Sequence, residues 1–194
     1  MTPIVTNLLR SNNQGLIGIA QSLDSTNPPL VIDLPAPSTA TAPNLRSSLN
    51  TGNELHRSIT KVIRDRAPLP GYSTFSDLLL PWLRDSGAHK IRASVELDHP
   101  AVRGICDIFV SGGFNSYGIV EIKGRGDYLP DFPSLKHRLQ LALYTHAASR
   151  LYGLDSFWCA LAYCSLGSGS LRLFVWPHID FQSSEMDEAL RYAA

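Results

Sequence analysis

The chain has 194 residues, 44% of them hydrophobic, which fits one soluble domain of moderate size with a real core. Lys and Arg number 17 and Asp and Glu 17, so the formal charge is zero; this argues against tight, charge-driven duplex binding but not against a local basic groove. No apolar run is long enough to span a bilayer, and Met1-Thr-Pro-Ile lacks the charged start of a signal peptide, so a cytosolic (intracellular) protein with no membrane partner is expected.

Taken in chain order, residues 1–22 carry an apolar periodicity compatible with a short helix or strand. Residues 24–51 are rich in Pro, Ser, Thr and Asn and read as an extended arm or linker, so the chain divides into an arm, 1–50, and a folded domain, 51–194. From Thr51, apolar residues Leu55, Ile59, Val62 and Ile63 fall at helical spacing, and Thr51 with Glu54 resembles a capping box. A second short helix is expected over Phe75–Arg84, ending near Gly87. Ile91–Leu97 alternates as a strand, followed by strand-like runs at Gly104–Val110 and Gly118–Lys123 with a glycine-containing connection between them.

A helix capped by Ser134 follows, running to Tyr152 with Leu135, Leu139, Leu143 and Ala147 along one stripe. Two strands, Ser156–Cys164 and Leu171–Trp176, and a last helix at about Ser183–Tyr192 complete the pattern. The expected fold class is α/β, a mixed central sheet of about five strands flanked by helices. The three cysteines, Cys106, Cys159 and Cys164, lie in apolar runs and read as buried thiols, too few for a four-thiolate cluster.

The chemistry concentrates in Glu121-Ile122-Lys123. Side chains at i and i+2 of a strand share a face, so Glu121 and Lys123 point together and Ile122 points away. Asp107 supplies a second carboxylate on the neighbouring strand-like run. Two carboxylates can hold Mg²⁺ or Mn²⁺, and an ammonium beside them can orient a phosphate or an attacking water. The competing interpretation is a solvent-facing Glu121/Lys123 ion pair of little worth. It fits each acid alone better than the set, because charge is depleted from buried strands unless paired or metal-bound. Glu96, on the strand before Asp107, is an additional acid for the site or a residue running out into solvent.

Four elements in order, Gly52-x-x-x-His56 on a helix, Gly104-x-x-Asp107 and Glu121-x-Lys123 on strands, and Gln140-x-x-x-Tyr144 on a helix, resemble the PD-(D/E)XK nuclease superfamily in its RecB-like branch. That branch includes recombination-helicase nuclease domains, CRISPR adaptation nucleases, and phage and mitochondrial exonucleases. The resemblance spans residues 52–144 and implies a restriction-endonuclease-like core. It implies that His56, Asp107, Glu121 and the Ile122 carbonyl hold Mg²⁺ or Mn²⁺, that Lys123 positions or activates water, and that Gln140 and Tyr144 contact the DNA backbone or brace the site. The implied activity is a metal-dependent DNA nuclease, an exonuclease acting on ends or single strands in DNA recombination, repair or processing. A homo-oligomer or a larger recombination complex is the implied setting.

The chain departs from some members in lacking the flanking cysteines of an iron–sulfur cluster, and it has no Gly-x-x-x-x-Gly-Lys-[Ser/Thr] loop for ATP. The alternatives are a catalytically silent nuclease-fold module that binds DNA or a partner protein, and a hydrolase of smaller phosphodiesters.

Overall fold

The computed structural model describes residues 14–26, 28–36, 48–65, 73–100, 102–179 and 186–190. In chain order the elements are α1 (Gln14–Thr26), β1 (Leu30–Leu34), α2 (Ser48–Asp65), α3 (Ser73–Asp85), β2 (Ala88–His99), β3 (Val102–Gly112), β4 (Tyr117–Arg125), α4 (Leu135–Tyr152), β5 (Phe157–Ser165) and β6 (Leu171–Ile179), followed by helix at 186–190. The strands form one six-stranded mixed sheet in the order β1-β6-β5-β4-β3-β2. All neighbours are antiparallel except β4 and β5, whose parallel pairing α4 makes possible by crossing over between them.

The burial pattern explains why β5 sits inside the sheet. All of its residues are buried, with Phe157, Cys159, Leu161 and Tyr163 facing one helical layer and Trp158, Ala160, Ala162 and Cys164 the other. On the first side, α1 and α4 pack Leu16, Ala20, Leu139 and Leu143 against the sheet. On the second, α2 and α3 contribute Leu55, Ile59, Phe75 and Leu79. The three cysteines are free and buried, as expected.

Several boundaries differ from the sequence reading. Residues 24–51 are not simply an extended arm, because β1 pairs antiparallel with the outer strand β6 from Leu30↔Val175 to Leu34↔Leu171. Pro28-Pro29 and Pro35 flank this short strand, a placement that an edge tolerates, and the Asp33 carboxylate binds the Arg172 guanidinium through Nε at 2.6 Å and Nη2 at 3.0 Å. The α1 residues Leu16, Ala20 and Leu23 are buried in the main core, so the segment 14–34 is part of the same fold. Helix α2 begins at Ser48, which puts Thr51 inside it and removes the capping-box role. Residues 1–13, the remainder of the arm at 37–47, and the ends of the expected last helix at 183–185 and 191–192 lie outside the described residues.

Elsewhere the pattern holds. Ser134 caps α4, its side chain accepting from the His137 N–H, and Gly153 ends the helix at φ 62. The β3–β4 connection passes through Gly112 and Gly113 at φ 83 and 82 and then Phe114 and Asn115 at φ 47 and 60. Among the described residues, no helix is long and apolar enough to cross a membrane.

Trp158 locks this connection to the sheet. It is fully buried, donates from Nε1 to the Gly112 carbonyl at 3.1 Å, and lies edge-on to Phe114 and Trp82. A Cβ at Gly118 would stand 2.0 Å from the indole Cε2. Gly118→Ala is therefore expected to destabilise the fold by about 1–3 kcal/mol, read as a lower urea midpoint at unchanged slope.

Candidate functional site

Strands β3 and β4 pair only from Ile108↔Val120 to Ser111↔Tyr117, although both continue beyond that point. Past Ile108 the ladder opens, and side chains take the place of backbone partners. The Asp107 N–H donates to Glu121 Oε1 at 3.1 Å, and the Ile122 N–H donates to Asp107 Oδ2 at 2.8 Å. Each carboxylate thus caps a backbone donor that the missing ladder leaves unpaired. The Ile122 carbonyl leaves the strand on the same side as its N–H and so faces this opening.

A switch of face in β3 accompanies the opening. Cys106 and Phe109 pack with the α1/α4 layer, whereas Ile108 and Val110 pack with the α2/α3 layer. Regular alternation would place Cys106 with Ile108. The switch falls at Asp107, where its cross-strand neighbour Ser94 drops out of the β2–β3 register and adopts φ 52.

Helix α2 reaches both of these residues. His56 and Thr60 lie one turn apart, with His56 Nδ1 2.8 Å from Asp107 Oδ1 and Thr60 Oγ1 3.2 Å from Ser94 Oγ. A carboxylate can only accept, so Nδ1 of His56 carries the proton in this arrangement. Burial of Leu55 and Ile59 in the core sets the rotation that presents His56 to the sheet.

The other layer completes the group. Glu121 and Lys123 share a face, as the strand period requires, and Lys123 Nζ donates to Glu121 Oε2 at 3.1 Å. Gln140 on α4 binds both, accepting from Lys123 Nζ at 2.9 Å and donating to Glu121 Oε2 at 3.0 Å. Tyr144, one turn further along α4, lies with its hydroxyl 3.4 Å from Gln140 Nε2. Its ring covers Gly104, where a Cβ would stand 2.4 Å from Cε1. Gly104 of the strand motif thus makes room for the tyrosine of the helix motif.

Glu121 is 1% exposed. Burial, reinforced by the Asp107 charge, pushes its carboxyl well above the ordinary carboxylate range, and Lys123 pulls the other way. Burial, then the Glu121 charge, also pushes the Tyr144 phenol far up, so it stays protonated. Ile122 points away from Glu121 and Lys123 into the α2/α3 core, leaving only its backbone at the site. Glu96 does not join the group. It is exposed on β2 opposite Ile105 and forms no hydrogen bond or ion pair among the described residues.

Among the described residues, no group of three or more His, Cys, Asp and Glu side chains is spread as a metal site. The donor chemistry nonetheless suits a hard divalent cation. Two carboxylates and one carbonyl face a single opening, and one imidazole borders it. His56 Nδ1, which donates to Asp107 Oδ1 at 2.8 Å, would have to give up that proton to join them as a ligand.

One set of residues beside the site was not legible as such in the sequence. Tyr163 pairs in register with Lys123, its hydroxyl lies 2.8 Å from His137 Nδ1, and its ring carries the Arg125 guanidinium at 5.5 Å. His137 itself stands in the basic run Lys136-His137-Arg138, which reads as an ordinary solvated cluster.

No family model matches the chain, and no curated protein does. Among solved structures, the crystal structure of SSO0001 aligns with a TM-score of 0.41 at 12% identity, over 99% of this chain and 74% of that one.

Burial first, and then the positive charges of Lys123, Arg125 and Lys136, hold the His137 imidazole down to about 3. The unfolded chain therefore binds this proton in a range where the folded chain refuses it. The stabilising contribution is complete above about pH 6.5 and is lost as pH falls towards about 3. His137→Gln is expected to lose less stability than the parent between neutral and mildly acidic pH, measured as the difference between urea midpoints at the two conditions.

Proposed function

We propose that this chain is a divalent-metal-dependent DNA nuclease with a restriction-endonuclease-like core, an exonuclease that hydrolyses phosphodiester bonds at DNA ends or in single strands. The observation that carries the reading is the meeting of Asp107, Glu121, Lys123 and His56 at one opening between β3 and β4, bridged by direct hydrogen bonds of 2.8 to 3.1 Å. Mg²⁺ or Mn²⁺ would be held by Asp107, Glu121 and the Ile122 carbonyl, with His56 alongside. Such an ion polarises the phosphoryl oxygen and makes bound water a better nucleophile near neutral pH.

The chain's own residues perform the remaining tasks. Burial and the Asp107 charge disfavour the ionised form of Glu121, so an arriving cation would be what stabilises both acids as carboxylates. The Lys123 ammonium, 15% exposed at its side chain and tethered by Glu121 and Gln140, orients a phosphate oxygen or the attacking water. Gln140 fixes the lysine and the glutamate relative to one another, and Tyr144 packs behind Gln140 on Gly104. Preorganised charges of this kind need no rearrangement as the transition state forms. Such an enzyme acts inside the cell in DNA recombination, repair or processing, alone, as a homo-oligomer or within a larger recombination complex.

One observation favours a second reading, a catalytically silent module that grips DNA or a partner protein. Glu121 Oε2 already accepts from both Lys123 and Gln140, so the lysine is satisfied without substrate. The two readings separate in one assay on linear, circular and single-stranded DNA with Mn²⁺. The nuclease reading expects metal-dependent degradation, at least about a hundredfold slower in Asp107→Ala and in Lys123→Ala, the scale on which a preorganised electrostatic contact is lost. Degradation by Asp107→Ala at the parent rate would remove it. Metal-independent binding with no cleavage, retained in Lys123→Ala, would establish the silent module.

A further inference from the structure

The connection from β4 to α4 joins the strand bearing Glu121 and Lys123 to the helix bearing Gln140 and Tyr144. It displays Phe132 at 82% and Tyr128 at 68% exposure, the two most exposed large hydrophobic side chains among the described residues. A single exposed aromatic needs no explanation, but two on one short loop beside a candidate site do.

The loop is firmly held around them. The backbone before Tyr128 is tied to the β5–β6 turn, with the Leu166 N–H donating to the Arg125 carbonyl at 2.9 Å and the Gly167 N–H to the Gly126 carbonyl at 3.2 Å. Asp127 is turned onto that turn, its Oδ1 only 2.2 Å from where a Gly167 Cβ would stand. Between the aromatics, Arg172 donates to the Pro130 carbonyl at 3.2 Å and binds Asp131 at 3.1 Å. After Phe132, Pro133 is buried and the Ser134 N–H donates to the Tyr163 hydroxyl at 3.3 Å. The two rings are thus held out in water by a backbone with little freedom to tuck them in.

Positive charge borders them. Arg125 follows Lys123 on the same face of β4, and its guanidinium lies over the Tyr163 ring with Nε buried and without a hydrogen-bond partner among the described residues. Lys136 is exposed in the first turn of α4. Of the two acids in the loop, Asp131 is paired with Arg172, and the Asp127 carboxylate lies against the Gly167 turn. Rigid exposed aromatics flanked along the chain by cations are what the flat faces of unstacked bases and their linking phosphates require. Paired bases in a duplex offer no such faces.

We propose that Tyr128 and Phe132 are a base-stacking platform for single-stranded DNA, with Arg125 and Lys136 taking its phosphates, so that one strand is led towards Lys123. The assignment rests on the nuclease reading above and gives that site its substrate form.

The test is fluorescence anisotropy in EDTA, with the whole chain and a labelled oligothymidylate beside a labelled hairpin duplex. Tyr128→Ser/Phe132→Ser is expected to bind the single strand roughly tenfold or more weakly, the scale of losing base–aromatic stacking. Tyr128→Phe/Phe132→Tyr, which keeps both rings, should retain the parent's affinity. Thermal unfolding of each variant checks that these exposed positions leave the fold intact. Unchanged affinity in the serine variant, an equal loss on single strand and duplex, or no single-strand binding by the parent would overturn the platform. So would a change of oligomeric state with DNA affinity unchanged, which would assign the aromatics to a protein contact. Ring-dependent single-strand binding by a chain that fails to cleave with Mn²⁺ would remove the nuclease reading and leave the platform standing, whereas cleavage with ring-independent binding would do the reverse.

Discussion

Two strands that part in the middle of a sheet must find other partners for the backbone groups they abandon, and this demand organises the centre of the protein. Beyond Ile108 and Val120 the ladder between β3 and β4 stops; in its place the Asp107 carboxylate accepts from the Ile122 N–H and the Glu121 carboxylate from the Asp107 N–H. Buried backbone donors do not stay unpaired, so the acids are held where they are by the sheet's own hydrogen-bond requirement. The same parting leaves the Ile122 carbonyl facing the opening. Structure and candidate chemistry therefore draw on one set of atoms.

The two helical layers meet at that parting. From one side α2 presents His56 to Asp107, and from the other α4 presents Gln140 to Glu121 and Lys123. Neither layer could supply all the groups, because an intact sheet would separate them. The change of face at Asp107, opposite Ser94 at φ 52, brings its carboxylate to the α2 side while Glu121 stays on the α4 side. Lys123 then holds its position through ionic and amide partners together, a more rigid arrangement than a lone ion pair on the surface.

Much of this could be read from the sequence because periodicity and residue type agree with tertiary packing. The shared face of Glu121 and Lys123 follows from the strand period, and the helical spacing of Gln140 and Tyr144 from the turn. The α4 boundaries follow from Ser134 and Gly153. What escaped has physical reasons. Strand β1 is short, flanked by prolines and set in a polar stretch, and only pairing with β6 gives it order. The opening of the ladder and the reversal at Ser94 are properties of two strands at once, so no local pattern announces them. Tyr163 lies in a strand buried on both faces, where nothing in the run Phe157–Ser165 marks it as the residue facing Lys123 and His137. Glu96 shows the opposite case: an acid near the motif in sequence that the strand carries into solvent.

The parallel seam between β4 and β5 also shapes how the protein comes to be folded. Its register, from Tyr117↔Phe157 to Arg125↔Ser165, joins two strands that the whole of α4 separates along the chain. Contacts between positions so distant along the chain form slowly, since the entropy of the intervening loop is lost before any of them is gained. The β2–β3 hairpin is local and can assemble first. Glu121 and Lys123 lie on the β4 side of the seam, opposite Leu161 and Tyr163, so docking of β5 completes their burial.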